Sequence, residues 1–183
     1  MRKAMMLLVL LGAGILGSGC GAPGYAQFTL GERFLDENDW APCEDQFLLG
    51  FAASREIEQW PVELEVGCTS SLDEGRASGI DCEASVVEYL AGARKTVQLQ
   101  GTNTSFYFGG GMAMMVADFE AGSAHDDDVS LALYFRVGMF WDLDGFYIGF
   151  DLRDTFASDI ELGGWDGDAD GPQFGLTLGW AWQ

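Results

Sequence analysis

QFGLTLGWAW, residues 173–182, alternates without a break. Phe174, Leu176, Leu178, Trp180 and Trp182 occupy every second position, and Gly175, Thr177, Gly179 and Ala181 lie between them. A β-strand points successive side chains to opposite faces, so one face here is large and apolar while the other is small. Two tryptophans close the apolar face. Apolar outside, small or polar inside and aromatic at the interface is the pattern of a strand crossing a bilayer in a closed barrel.

The same period recurs upstream. It predicts strands over 27–35 (Phe28, Leu30 and Phe34 on one face), 45–55 (Phe47, Leu49, Phe51), 61–69 (Val62, Leu64, Val66) and 82–94 (Val87, Tyr89, Ala91). Further strands are predicted over 104–118 (Phe106, Phe108, Met112, Met114, Val116), 129–141 (Leu131, Leu133, Phe135, Val137) and 145–156 (Phe146, Ile148, Phe150, Leu152). With the last stretch this makes an all-β, eight-stranded antiparallel up-and-down transmembrane β-barrel over residues 27–183. The connections alternate. Asp36–Glu44, Ser70–Asp81, Phe119–Asp128 and Ala157–Pro172 are long and polar, whereas Glu56–Trp60, Lys95–Asn103 and Asp142–Asp144 are shorter on average. Outer-membrane barrels have short periplasmic turns and longer outer loops, so the long links are placed outside. The Lys95–Asn103 link is long for a turn, and extension of a neighbouring strand would shorten it.

A soluble lipocalin-like barrel also alternates, with its apolar face turned inward around a ligand. The minor face favours the membrane. It reads Ser130, Ala132, Tyr134, Arg136 and Gly138, then Tyr147, Gly149, Asp151 and Arg153. Small groups with a few charges suit the interior of an eight-stranded barrel, which side chains just fill. The charges assigned to that interior are Arg33, Glu63, Glu65, Glu88, Arg94, Arg136, Asp151 and Arg153. Their signs balance, and buried charge must be paired. The expectation is an ion-pair network that closes the lumen, in preference to a gated ion path. Glu32 falls on the lipid side between Leu30 and Phe34; it lies at the outer interface or a bulge shifts the register there.

Formal net charge is −20, with Lys3 and Lys95 the only lysines. Such acidity excludes a nucleic-acid partner, which needs a basic face. The N-terminus has the form of an export signal: Arg2 and Lys3, then an apolar run from Ala4 to Leu16. Residues 1–19 are read as a signal peptide and 20–26 as a short linker. Gly17-Ser18-Gly19-Cys20 resembles a lipobox, which would make Cys20 a lipidated N-terminus; Gly24-Tyr25-Ala26 is a competing small-x-small cleavage site. In an oxidising compartment disulfides form. Cys68 and Cys82 flank one link and are predicted to bridge, which leaves Cys43 odd, with an exchange of partners open.

Catalytic signals are thin. His125, beside Asp126-Asp127-Asp128, is the single histidine, and no serine is spaced to serve as its nucleophile. It reads as a solvated loop residue, and no catalytic residue is assigned. DGDADG, residues 166–171, matches the first half of a calcium loop, but Thr177 stands where the closing Glu belongs. Asp166, Asp168 and Asp170 are therefore candidates for no more than a weak Ca²⁺ or Mg²⁺ contact, and no other cofactor is expected.

YFGGGMAMMVADFEAG (107–122), FYIGFDLRDTF (146–156), DGDADG and the aromatic-rich final strand together resemble the small Gram-negative outer-membrane β-barrels, the OmpA-type or porin-like family. The resemblance covers roughly Gln27 to Gln183. It implies an outer-membrane location, contact with outer-membrane lipid and insertion by the β-barrel assembly machinery. The motifs speak for the architecture and little for activity; the leading expectation is a non-enzymatic structural or surface-interaction role, and the outer ligand stays open. The alternatives are a lipid-modifying enzyme of the same shape and a soluble ligand-binding lipoprotein.

Overall fold

The computed structural model describes residues 23–57, 59–77, 79–156, 159–162 and 165–182. The signal segment, the Cys20 lipidation site and Gln183 lie outside the described residues. Strands β1 (Gly24–Phe34), β2 (Asp45–Glu56), β3 (Glu63–Ala77), β4 (Ile80–Gln98), β5 (Thr104–Ala121), β6 (Ala124–Leu143), β7 (Phe146–Phe156) and β10 (Gly171–Trp182) form the wall. They close a barrel in the order β1-β10-β7-β6-β5-β4-β3-β2. Every pairing is antiparallel, and closure comes from β1 against β10, from Gly24↔Trp182 to Arg33↔Gln173. A helical turn, α1 (Glu37–Trp40), lies in the first outer loop, and a small ribbon of β8 (Ile160–Leu162) and β9 (Trp165–Gly167) lies in the last. Asp36 caps α1, its Oδ1 accepting from Asn38 N at 2.8 Å.

The apolar face looks outward. Leu131 is 64 % exposed and Phe146 68 %, and Phe28, Leu49, Phe106, Met112, Phe135, Leu152 and Leu176 are exposed with them. A soluble monomer rarely shows a continuous apolar patch beyond a few hundred Å². A belt of this kind around a closed sheet is stable only against hydrocarbon, which rules out the inward-facing lipocalin arrangement. Trp60, Trp141, Phe146, Trp180 and Trp182 sit at or near the turn end of the wall, the level at which interfacial aromatics anchor a barrel.

Several expected boundaries shift. β1 begins at Gly24, within the stretch read as linker, because Gly24, Tyr25 and Ala26 pair with β2 and β10 on either side. The links expected at Ser70–Asp81 and Phe119–Asp128 are mostly strand: β3 and β4 pair out to Ala77↔Ile80, and β5 and β6 out to Ala121↔Ala124. These hairpins extend past the apolar belt, where the outward face turns polar while Cys82, Ala84, Phe119 and Ala121 pack inward against the outer mouth. The outward apolar period that marks the wall stops there although the backbone ladder continues. β4 runs to Gln98, which shortens the fourth link to Leu99–Asn103. Glu32 keeps its register, opposite Phe174 and Phe47, and points outward without a bulge.

The barrel interior is the core, and it has three levels. At the turn end Tyr25, Tyr107, Phe140 and Tyr147 pack together. Glycines in the wall make room for them. A Cβ at Gly138 would lie 2.2 Å from Tyr107 Cζ, and one at Gly179 2.4 Å from Tyr147 Cζ. Ionic side chains fill the middle. At the outer mouth Leu35, Trp40, Ile160, Leu162 and Ala169 meet Val86, Met115 and Ala117 in an apolar cap. The outer loops read as polar in the sequence thus fold apolar side chains into the opening.

Candidate functional site

The ionic middle is built by alternation. Arg33, Glu63, Glu65, Glu88, Arg94, Arg136, Asp151 and Arg153 all turn into the lumen, and none is more than 6 % exposed. They fall into two groups. Nearer the mouth, Glu88 lies between Arg33 Nη2 at 2.6 Å and Arg153 Nη2 at 2.7 Å. Its oxygens also accept from Thr69 Oγ1 at 2.8 Å, Thr155 Oγ1 at 3.1 Å and Gln173 Nε2 at 3.0 and 3.1 Å. Arg33 Nη2 donates as well to Ala169 O at 3.0 Å, which fastens the last outer loop to this group.

Deeper in the barrel, Arg136 joins Glu65 at 2.8 Å and Asp151 at 2.6 Å. Tyr107 OH donates to the same Asp151 oxygen. Arg94 reaches Glu63 at 3.1 Å and Glu65 at 3.5 Å and donates to Gln27 Oε1 at 3.0 Å. Its guanidinium lies between the Tyr25 and Tyr107 rings, 5.0 Å from each centroid. A cavity of about 10 Å³ among Thr29, Thr69, Arg136, Asp151, Arg153 and Gln173 has room for about one water. Stacked below the apolar cap and above the aromatic group, the network fills the lumen.

The outer rim has the opposite character. On the outward face of the β5–β6 hairpin, His125 Nδ1 lies 3.4 Å from Glu120 Oε1 and 3.7 Å from Asp118 Oδ2. Glu120 pairs with His125 in the ladder and Asp118 with Asp127. One ligand atom from each of Asp118, Glu120 and His125 lies within 4.8 Å of the others, so these are the described residues that could hold a cation. The last outer loop places Asp168 and Asp170 elsewhere. Asp168 Oδ1 accepts from Asp170 N at 3.3 Å, and Asp39 Oδ2 accepts from Asp168 N at 3.3 Å. The Asp166 side chain lies outside the described residues. Burial, together with Asp170, Asp39 and Asp36 nearby, raises the Asp168 pKa. Trp40 Nε1 donates to Asp168 O at 2.6 Å and pins the two loops together over the mouth.

The expected Cys68–Cys82 bridge is corrected. Cys68 is in register with Tyr89, whereas Cys82 is in register with Gly75, further up the same hairpin. Cys68 also shares the outward parity of Leu64 and Val66, while Cys82 turns inward toward the apolar cap. The neighbour of Cys82 is Cys43, with Sγ atoms 3.6 Å apart. The cap residues were missed in the sequence, and the Cys43–Cys82 approach was covered only by the open exchange of partners. The available signal was the set of apolar side chains (Trp40, Ile160, Leu162) inside segments otherwise read as solvated.

An apolar belt, a filled polar lumen and long hairpins on one side define a small barrel of the outer-membrane class. Solved structures share this fold. Neisserial surface protein A aligns at 12 % identity and a TM-score of 0.62, over 87 % of this chain and 98 % of that one. Ail, the attachment invasion locus protein of Yersinia pestis, aligns at 12 % identity and a TM-score of 0.60, over 88 % and 99 %. The N-terminal β-barrel domain of Pseudomonas aeruginosa OprF aligns at 12 % identity and a TM-score of 0.53, over 87 % and 97 %. No protein-family model and no curated protein sequence matches the chain.

Proposed function

We propose that this protein is a non-enzymatic, non-conducting barrel of the bacterial outer membrane whose acidic outer hairpins are its working surface. The observation that carries the reading is the filled lumen: apolar cap, compensated ions and aromatic group lie one above another. Function is then left to the exterior. There Asp36, Glu37, Asp39, Asp73 and Glu74 outnumber the described basic side chains, with Arg76 held by Asp81 at 2.8 Å. Such a field attracts cationic groups, either divalent ions shared with lipid phosphates or basic polypeptides. Ail has been solved with the heparin analogue sucrose octasulfate, a polyanion; the rim of this chain calls for a ligand of opposite sign. The aromatic end of β10 supports delivery by the β-barrel assembly machinery.

A lipid-modifying enzyme is the second reading, and His125 is its test. The contacts of His125 Nδ1 with Glu120 and Asp118 are to carboxylates, which give it no hydroxyl or thiol proton to remove as a general base. Planar-bilayer recording of the purified barrel should show no unit conductance, and a rise on Arg136→Ala would fit removal of a lumen-closing side chain. Steady channels in the unaltered protein would overturn the closed-lumen reading. Lipid A or phospholipid turnover abolished by His125→Ala would overturn the non-enzymatic one.

A further inference from the structure

We infer that Cys43 and Cys82 form a disulfide in the exported protein, a staple that fixes the first outer loop across the barrel mouth. The two residues are 39 apart in the chain, yet their Sγ atoms lie 3.6 Å apart and both are buried. The approach is held by packing. Pro42 and Cys43 sit against Gly75, the ladder partner of Cys82. A Cβ at Gly75 would lie 2.6 Å from Pro42 Cγ and 3.1 Å from Cys43 Sγ. Only a residue without a side chain lets the loop come down onto the hairpin at this point. Trp40, on the same loop, is buried in the cap and bonded to Asp168 O, and Glu44 O accepts from Leu35 N at 2.9 Å, so the loop is anchored on both sides of the thiol. Bond formation needs the sulfurs to close from 3.6 Å to about 2.05 Å.

The oxidant is a dithiol–disulfide exchange protein of the periplasm. Its disulfide is attacked by one cysteine thiolate to give a mixed disulfide, and the second cysteine thiolate then displaces the oxidant. Cys43 and Cys82 lose two protons and two electrons in all, and the oxidant leaves as a dithiol. Burial and the neighbouring Cys82 push the Cys43 thiol up to about 12, so little thiolate exists once the mouth has closed. Oxidation therefore belongs to the folding stage, and the finished bond is shielded from external reductant. Cys68, facing outward in the wall, takes no part.

The test uses the full chain isolated from outer membranes. It is denatured without reductant, alkylated, digested and mapped by mass spectrometry. The expected result is a linked pair of peptides carrying Cys43 and Cys82, with Cys68 alkylated. Cys68→Ala should keep the linked pair, and Cys43→Ser should free Cys82 for alkylation. On the folded Cys68→Ala barrel, reduction should become efficient only after unfolding, and the reduced form should unfold with an equilibrium constant larger by a factor on the order of a hundred. Free alkylation of Cys43 and Cys82 in unreduced protein, or a linked pair containing Cys68, would overturn the proposal. The Cys68→Ala map decides the matter even if Cys43→Ser does not reach the membrane.

Discussion

The lumen and the outer rim use the same carboxylates to opposite ends. Inside, Glu88 lies within 2.7 Å of two guanidinium groups, and Asp151 lies 2.6 Å from a third. Outside, Asp118 and Glu120 stand beside one another, 3.7 and 3.4 Å from the His125 imidazole and with no guanidinium of the described residues between them. The difference is the solvent. In the barrel an unanswered charge cannot be hydrated, so each acid carries its arginine with it. On the rim water does that work, and uncompensated charge is tolerated and left available to partners.

Glu88→Ala should break this contrast most severely. It strands Arg33 and Arg153 at 0 and 4 % exposure, and loss of one partner from a buried pair costs about 3–5 kcal/mol. The measurement is the urea midpoint of the folded, heat-modifiable gel band, and a loss below about 1 kcal/mol would mean that the lumen is hydrated like the rim. Gly138→Ala comes next. The added methyl meets the Tyr107 ring at 2.2 Å, and overpacking of this sort costs about 1–3 kcal/mol in the same assay.

The pH response of the mouth sharpens the comparison. Burial and the acids around it raise the pKa of Asp168 above its unfolded value of 3.8. The folded protein then holds this proton more tightly than the unfolded chain does, so stability is gained as pH falls through the raised value and is lower at neutral pH. Proteolytic protection of the first and last outer loops should therefore be greater at about pH 4.5 than at about pH 7, and Asp168→Asn should flatten the difference. Equal protection of the unaltered protein at both values would count against carboxylate crowding at the cap. The smallest effect on stability is expected at the rim itself. Glu120→Gln should leave the urea midpoint within about 0.5 kcal/mol while weakening the binding of a basic peptide, and that binding should fade as salt is raised. A large stability loss would show that the rim acids are structural after all.

Much of this was legible in the residues. Arg136 and Asp151 stand on the minor face of strands whose other face is Leu, Phe and Met, and strict alternation leaves such charges nowhere but the interior. The same signal failed above the membrane. Asp73 and Glu74, or Asp126 and Asp127, give no contrast between faces, so the extended ends of β3 and β6 read as loops; in β5 the outward face becomes Asp118 and Glu120, which hides the inward Phe119 and Ala121. Nearness along the hairpin predicts Cys68 as the neighbour of Cys82, whereas in space Cys43 stands 3.6 Å from it. One residue of parity separates an outward thiol from an inward one.

The sequence alone determined the wall: strand number, which side chains meet lipid and which charges share the lumen. These follow from a period of two and from the need of a closed sheet to bury or compensate whatever it turns inward. Only the tertiary structure decided how the ends are shut. The cap of Trp40, Ile160 and Leu162, the approach of Cys43 to Cys82 and the grouping of opposite charges around Glu88 and Arg136 depend on where loops cross the mouth and on the barrel's register. Contacts between segments more than a hundred residues apart, such as Trp40 with Asp168, leave no periodic trace along the chain.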